Sequence, residues 1–326
     1  MSTKKEFSKE EDKKEGKTSE KKIYKNEILG VIYSLLTQFI WTLNSVCLKY
    51  LTQNYRTLFK NKTFIFARGL ATIIISFILG KIYDGKIYKL SEFTPQIQKC
   101  ILTRANVSFF AMCFWTIAIF YLRITTCQII STLSPIIIIF FSVIFLKEKY
   151  HSRYAFGILF GVIGSVIIVL NEKKIKKNKK DSNFYEIIIG IVSIIINICL
   201  SGFTNVATKI MANNKISVYT QMFYLGIFHC LYSFLWMLFT MDFDYTFGYF
   251  FLCTLQSILF FLANYFFFCS LKMIDLAKNS IFNYTKVVFV FFLGIVMLRE
   301  KIFLTDLVGC FIIVGFMIYH VMYPIK

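Results

Sequence analysis

The stretch LGVIYSLLTQFIWTLNSVCLK at 29–49 decides the reading of this chain, because a second version, IGIVSIIINICLSGFTNVATK, stands at 189–209. Each runs for about twenty residues with almost no charge, the length a helix needs to cross a bilayer. Gly30 and Lys49 frame the first, Gly190 and Lys209 the second, and both pairs of landmarks are 160 positions apart. Further along, Lys147-Glu148-Lys149 with Gly157 recurs 152 positions on as Arg299-Glu300-Lys301 with Gly309.

Between these landmarks the apolar segments divide each copy into five helices. The first copy is expected to form them over 28–50, 62–82, 101–121, 124–146 and 151–171, the second over 185–211, 217–240, 246–270, 276–298 and 302–323. The expected fold class is therefore all-α integral membrane, with ten transmembrane helices. Five is odd, so the second copy enters the membrane upside down, giving two inverted five-helix repeats of the kind that build many secondary transporters. Residues 1–27 are charged and low in complexity and are expected to be a disordered cytosolic tail. The first repeat then covers 28–171, a basic linker 172–184, the second repeat 185–323, and a short tail 324–326.

Composition agrees with burial in lipid: 57% of residues are hydrophobic and the mean hydropathy is +0.62. The formal charge of +19 sits in tails, loops and helix ends. There it matches the anionic surface of a bilayer, and no nucleic-acid partner is expected. The lysines of the tail and of the loops on its side place both termini in the cytosol by the positive-inside rule, whereas the lysines of 172–184 argue the other way. The 9 Cys form no CxxC pair, so neither a disulfide frame nor a zinc site is expected, and no cofactor. No nucleophile–base arrangement stands out, so an enzyme is not expected.

Polar side chains deep in a bilayer are costly and face a cavity or a partner. In the ninth helix Asn279, Asn283 and Lys286 follow i, i+4, i+7 spacing and should share one face, with Tyr284 and Thr285 flanking it. Lys286 falls too near the middle to snorkel. The positions 152 earlier are Cys127, Ser131 and Ser134, small and uncharged, which suit either the opposite cavity wall or close helix packing. Arg68, Trp41 and Asn264 are the further candidates for the wall, Arg68 pointing at the cavity or at headgroups. Lys49 and Lys209 are read as snorkelling cations, and Glu148 and Glu300 as helix-end residues paired with their basic neighbours. Pro135 should kink the fourth helix. Asp and Glu are absent from the middle of every expected helix.

The segment TLSPIIIIFFSVIFLKEKYHSRYAFGILFGVIG (132–164) resembles the end of an EamA repeat of the drug/metabolite transporter superfamily, and NYTKVVFVFFLGIVMLREKIFLTDLVGCFIIVG (283–315) resembles its partner. The resemblance implies ten helices in two inverted repeats, a central cavity between helices 1–4 and 6–9, and peripheral helices 5 and 10. Val287 stands where the first copy has Pro135, so the ninth helix should bend less. Lys286 is also similar to a basic position that the triose-phosphate translocator branch, related to the nucleotide-sugar translocators, uses to hold phosphate. Only the first residue of that branch's Lys-Arg pair is matched. The function expected is secondary transport of a small organic metabolite, anionic or phosphorylated, by alternating access through exchange or facilitated diffusion. The alternative is a non-transporting multi-pass scaffold or assembly factor. The expected partners are a small-molecule metabolite and the lipid bilayer, with a homodimer left open.

Overall fold

The computed structural model describes residues 2–54, 60–85, 89–122, 124–131, 133–148, 184–240 and 247–298, with single positions at 156, 159, 163, 308, 311, 312 and 315. Apart from those single positions, the fifth and tenth helices expected over 151–171 and 302–323 lie outside the described residues, as does the linker up to its last residue. Everything regular among the described residues is helical. The helices are α1 (Ser2–Asn54), α2 (Lys60–Tyr83), α3 (Pro95–Tyr121), α4 (Ile124–Ser131), α5 (Ser134–Phe141), α6 (Phe184–Asn213), α7 (Val218–Thr240), α8 (Phe247–Leu271), α9 (Leu276–Ile281) and α10 (Thr285–Leu298). Six of them carry segments long and apolar enough to cross a membrane: Asn26–Thr52, Thr63–Tyr83, Pro95–Tyr121, Tyr185–Asn213, Val218–Phe239 and Phe247–Leu271.

Three expectations change. Residues 2–27, expected to be disordered, continue α1 without a break. The sequence there sets Glu10 and Glu11 three or four positions before Lys13 and Lys14, a spacing that supports a helix. Helix α3 starts at Pro95, six positions before the expected 101, with Pro at a first-turn site that needs no N–H donor. Finally, the expected fourth and ninth helices are each broken. The first is interrupted between Ser131 and Ser134, where Leu133 N–H reaches back only to Ile130 O (3.1 Å) and Ile136 N–H only to Leu133 O (3.1 Å). Pro135 has no N–H to give Ser131, which removes one helical bond at the interruption.

The ninth helix breaks at the corresponding place without a proline, through a 3₁₀ turn at Phe282–Tyr284. This overturns the expectation that Val287 would leave it straighter. Here Ser280 and Thr285 bond their hydroxyls to Ala277 O and Phe282 O (2.7 Å each), three residues back, offering the backbone a tighter winding.

The packing is antiparallel and repeats when the halves are exchanged. Helices α2 and α7 meet with Phe77 against Phe223 and Phe66 against Phe234, each phenylalanine pairing with the counterpart 157 positions on from the other contact's residue. The glycines Gly69 and Gly226, also 157 apart, sit at the closest approach: a Cβ on Gly69 would come within 2.8 Å of Cys230 N, and one on Gly226 within 3.0 Å of Gly69 O. Helix α1 lies along α8, where Asn44 Nδ2 donates to the backbone carbonyl of Gln256 (2.9 Å) and Gln256 Nε2 donates to Asn44 Oδ1 (2.8 Å). Its equivalent contact is α6 along α3, where Asn197 donates to Ala111 O at 2.7 Å.

The lysines at 49 and 209 make the exchange most exact. Lys49 Nζ donates to Ile119 O (2.7 Å) and Leu122 O (2.8 Å). Lys209 Nζ donates to Leu271 O and Ile274 O (2.9 Å each), carbonyls 152 positions on from the first pair. Both lysines therefore satisfy the carbonyls left open where α3 and α8 end. They do not snorkel, because those carbonyls are nearer and drier acceptors than bulk water. Glu148 does more than stand at a helix end: its carboxylate accepts from Leu276 N–H and Ala277 N–H (3.1 Å each), capping α9 across the bundle.

Candidate functional site

A cavity of about 190 Å³ lies among α1, α2, α3, α4, α5, α6, α7, α8 and α10. Seven of the nine side chains singled out in the sequence line it: Trp41, Arg68, Ser131, Ser134, Asn264, Asn283 and Lys286. Ser131 bonds back to Gln128 O (2.6 Å), and Ser134 accepts from Asn283 Nδ2 at 3.4 Å, so the two broken helices meet across the cavity as their symmetry suggested. Lys286 has no hydrogen bond or ion pair to any described residue and turns a partly exposed side chain into the cavity.

Asn279 and Tyr284 do not line it. Asn279 is 1% exposed and its Oδ1 accepts from Ser270 Oγ at 3.1 Å, tying α9 to α8. Ser270 also donates to Gly30 O at 2.9 Å, so α1, α8 and α9 are joined at one end. Tyr284 is likewise 1% exposed. Seven residues separate Asn279 from Lys286, about two turns or ~10 Å along the axis, so Asn279 belongs to the end of the bundle joined by Ser270 and not to the depth of the cavity.

The residue that sequence reasoning missed is Arg104. With α3 starting at 101, Arg104 would stand at the membrane edge. With the start at Pro95 it lies more than two turns inside, and it is only 5% exposed. Its Nη1 donates to Gln221 Oε1 (3.1 Å) and its Nη2 to Asn264 Oδ1 (3.3 Å). Arg68, 2% exposed, lays its guanidinium 3.3 Å from the centre of the Phe260 ring, with Nη1 2.6 Å from Met112 Sδ. Its Nε has no partner among the described residues, nor has either ring nitrogen of the fully buried His229, which packs against Phe109 and Phe260. Gln38, Gln128 and Trp115 complete the polar and aromatic lining that matters most. The detectable signal for Arg104 and Gln128 was the one used for Lys286: a strongly polar side chain inside an apolar segment.

Among the described residues, three cations line the cavity and no carboxylate does. The acids with described side chains are Glu27, Asp84, Glu92, Glu148, Glu186 and Asp275, and none of them lines the cavity. Glu27 pairs with Lys278 at 3.6 Å, and Asp275 lies 3.9 Å from Lys209. The site is thus a set of positive groups held by neutral dipoles, a sulfur and a ring, in a region of low dielectric. Such a set attracts an anion strongly and repels a cation. Among the described residues no group of three His, Cys, Asp or Glu could hold a metal ion.

Compared with known proteins, the chain matches the family model described as the EamA-like transporter family twice, over residues 28–170 and 188–321. No curated protein matches it. Among solved structures it is similar to one titled only "Crystal structure of protein", at 14% identity and a TM-score of 0.66, with 90% of this chain and 94% of the other covered. At that identity the likeness concerns the fold alone.

Proposed function

The chain belongs to the EamA-like transporter family, and from that premise we propose that it is a secondary transporter of a small organic anion, working by alternating access. The family and the six apolar helices make it a multi-pass integral membrane protein. The full arrangement we propose has ten spans in two inverted five-helix repeats, with both termini in the cytosol and α4–α5 and α9–α10 as the moving walls. Exchange of the halves maps the described contacts onto one another, and this supports two units that can rock about a site between them.

The observation that carries the anion reading is the cavity's charge. Arg68, Arg104 and Lys286 line it with no Asp or Glu beside them. A scaffold would have no use for three uncompensated cations inside a membrane, where each costs several kcal/mol to bury. A transporter uses the same cost, because the arriving anion relieves it. The empty site is the unfavourable one to carry across, so exchange should outrun net uptake. Proton symport is not the expected mode, since among the described residues no carboxylate faces the cavity to carry the proton.

The test is counterflow in liposomes containing the purified full chain, with panels of labelled organic anions, neutral sugars and organic cations. Anions are expected to exchange and to inhibit one another. Counterflow confined to cations or neutral solutes would overturn the reading.

A further inference from the structure

The two arginines of the cavity stand on one wall, and their spacing suggests what they hold. Phe260, under Arg68, and Asn264, bonded to Arg104, are one turn apart on α8. The two guanidinium groups are therefore offset by ~6 Å along the bundle. Every partner they have is neutral: a thioether, a ring and two amide oxygens. Next to them, among the described residues, Arg68 Nε and both ring nitrogens of His229 are without a partner. Lys286 enters from a different side, on α10, which packs against α1 and α4, whereas α2 and α3 pack against α6, α7 and α8.

A planar guanidinium fork takes two oxygens of one oxyanion, while a lysine ammonium takes a single point of charge. A monoanion would leave two of the three cations uncompensated; a dianion leaves one. We infer that the cavity binds a short-chain organic dianion, with an anionic group between Arg68 and Arg104 and, where the two charges are on separate groups, the second at Lys286. This rests on the reading of the protein as an anion transporter and sharpens it to charge number and size. The volume of about 190 Å³ limits the ligand. An engineered cavity of about 150 Å³ holds benzene, so the ligand here has roughly ten non-hydrogen atoms or fewer. That admits a four-carbon dicarboxylate or a small phosphomonoester.

The experiment compares ligands of equal size and unequal charge. Thermal unfolding of the purified full-length protein is followed with increasing succinate, monomethyl succinate and inorganic phosphate. Stabilisation by succinate or phosphate is expected to half-saturate at a concentration about tenfold or more below that for the monoester, the worth of one further charge-assisted contact. Succinate acting before phosphate would assign a dicarboxylate, the reverse a phosphomonoester; either order supports a dianion. Arg104→Gln and Arg68→Gln, made separately, are each expected to bring the succinate-to-monoester ratio near one. Equal half-saturation by succinate, phosphate and monoester in the wild-type protein overturns the inference, whether or not the variants fold. So does a ratio that Arg104→Gln leaves unchanged in folded protein. Counterflow of monoanions as fast as dianions would sink the dianion while leaving the transporter, and the absence of any anion counterflow would sink the transporter itself.

Discussion

Lys49 and Lys209 are twins, whereas the three cations of the cavity have none. The twins occupy matching positions in the two halves and bond matching carbonyls, Ile119 with Leu122 and Leu271 with Ile274. For the cavity cations, the corresponding residues in the other half are neutral. Lys286 corresponds to Ser134 and Arg104 to Gln256 at the spacing of 152, and Arg68 to Leu225 at the spacing of 157 set by the α2–α7 contacts. The packing of this molecule obeys its internal symmetry, and the charge of its cavity does not. A residue serving the architecture of one half is needed again in the other. A residue serving the shared cavity is needed once, so the unmatched cations are the ones to assign to ligand.

The largest effect that could break this comparison is at Lys286. Lys286→Gln should lower anion counterflow roughly a hundredfold, as losing one partner of a desolvated charge pair does, while the thermal midpoint stays near that of the wild type. Full transport by that variant would remove Lys286 from the site. The twins should behave the opposite way. Lys49→Met and Lys209→Met each give up two charge-assisted bonds to carbonyls that have few other partners, and each should cost about 3 kcal/mol or more. Chemical unfolding of the detergent-solubilised protein measures this. A large loss at one lysine and none at the other would show that the two ends are not equivalent. The smallest effect is expected at Pro135. Because the second half breaks its helix with Val287 at the matching place, Pro135→Ala should leave the break intact and shift stability by less than about 1 kcal/mol. Hydrogen exchange at Ile136 and Ile138 follows it, and protection there rising to that of a continuous helix would make the proline the sole cause.

The comparison also separates what could be read along the chain from what could not. The repeat, its two spacings and the apolar spans are properties of composition and period, and they carried over to α1, α2, α3, α6, α7 and α8. Lys286 was legible because a charge in a long apolar run is conspicuous wherever the helix begins. Arg104 was not, since its depth depends on where α3 starts, and the polar run 83–99 hid a start at Pro95. Asn279 and Tyr284 were misplaced for a related reason. Helical spacing assigns a face but not a depth: Asn279 lies two turns from Lys286, at the end tied by Ser270, and Tyr284, two positions before Lys286, points roughly 200° round the axis from it.

By itself the sequence determined a membrane protein in two related halves, with a cation, Lys286, near the middle of the ninth segment. Those features depend on hydrophobicity and on spacing within one segment, both of which are local. Only the tertiary structure decided that Lys49 and Lys209 hold the ends of α3 and α8, that Glu148 caps α9, and that Arg68 and Arg104 join Lys286 around one cavity. Each of those is a choice of partner on another helix. A buried polar group takes whichever partner the packing brings within reach, and spacing along the chain does not contain that information.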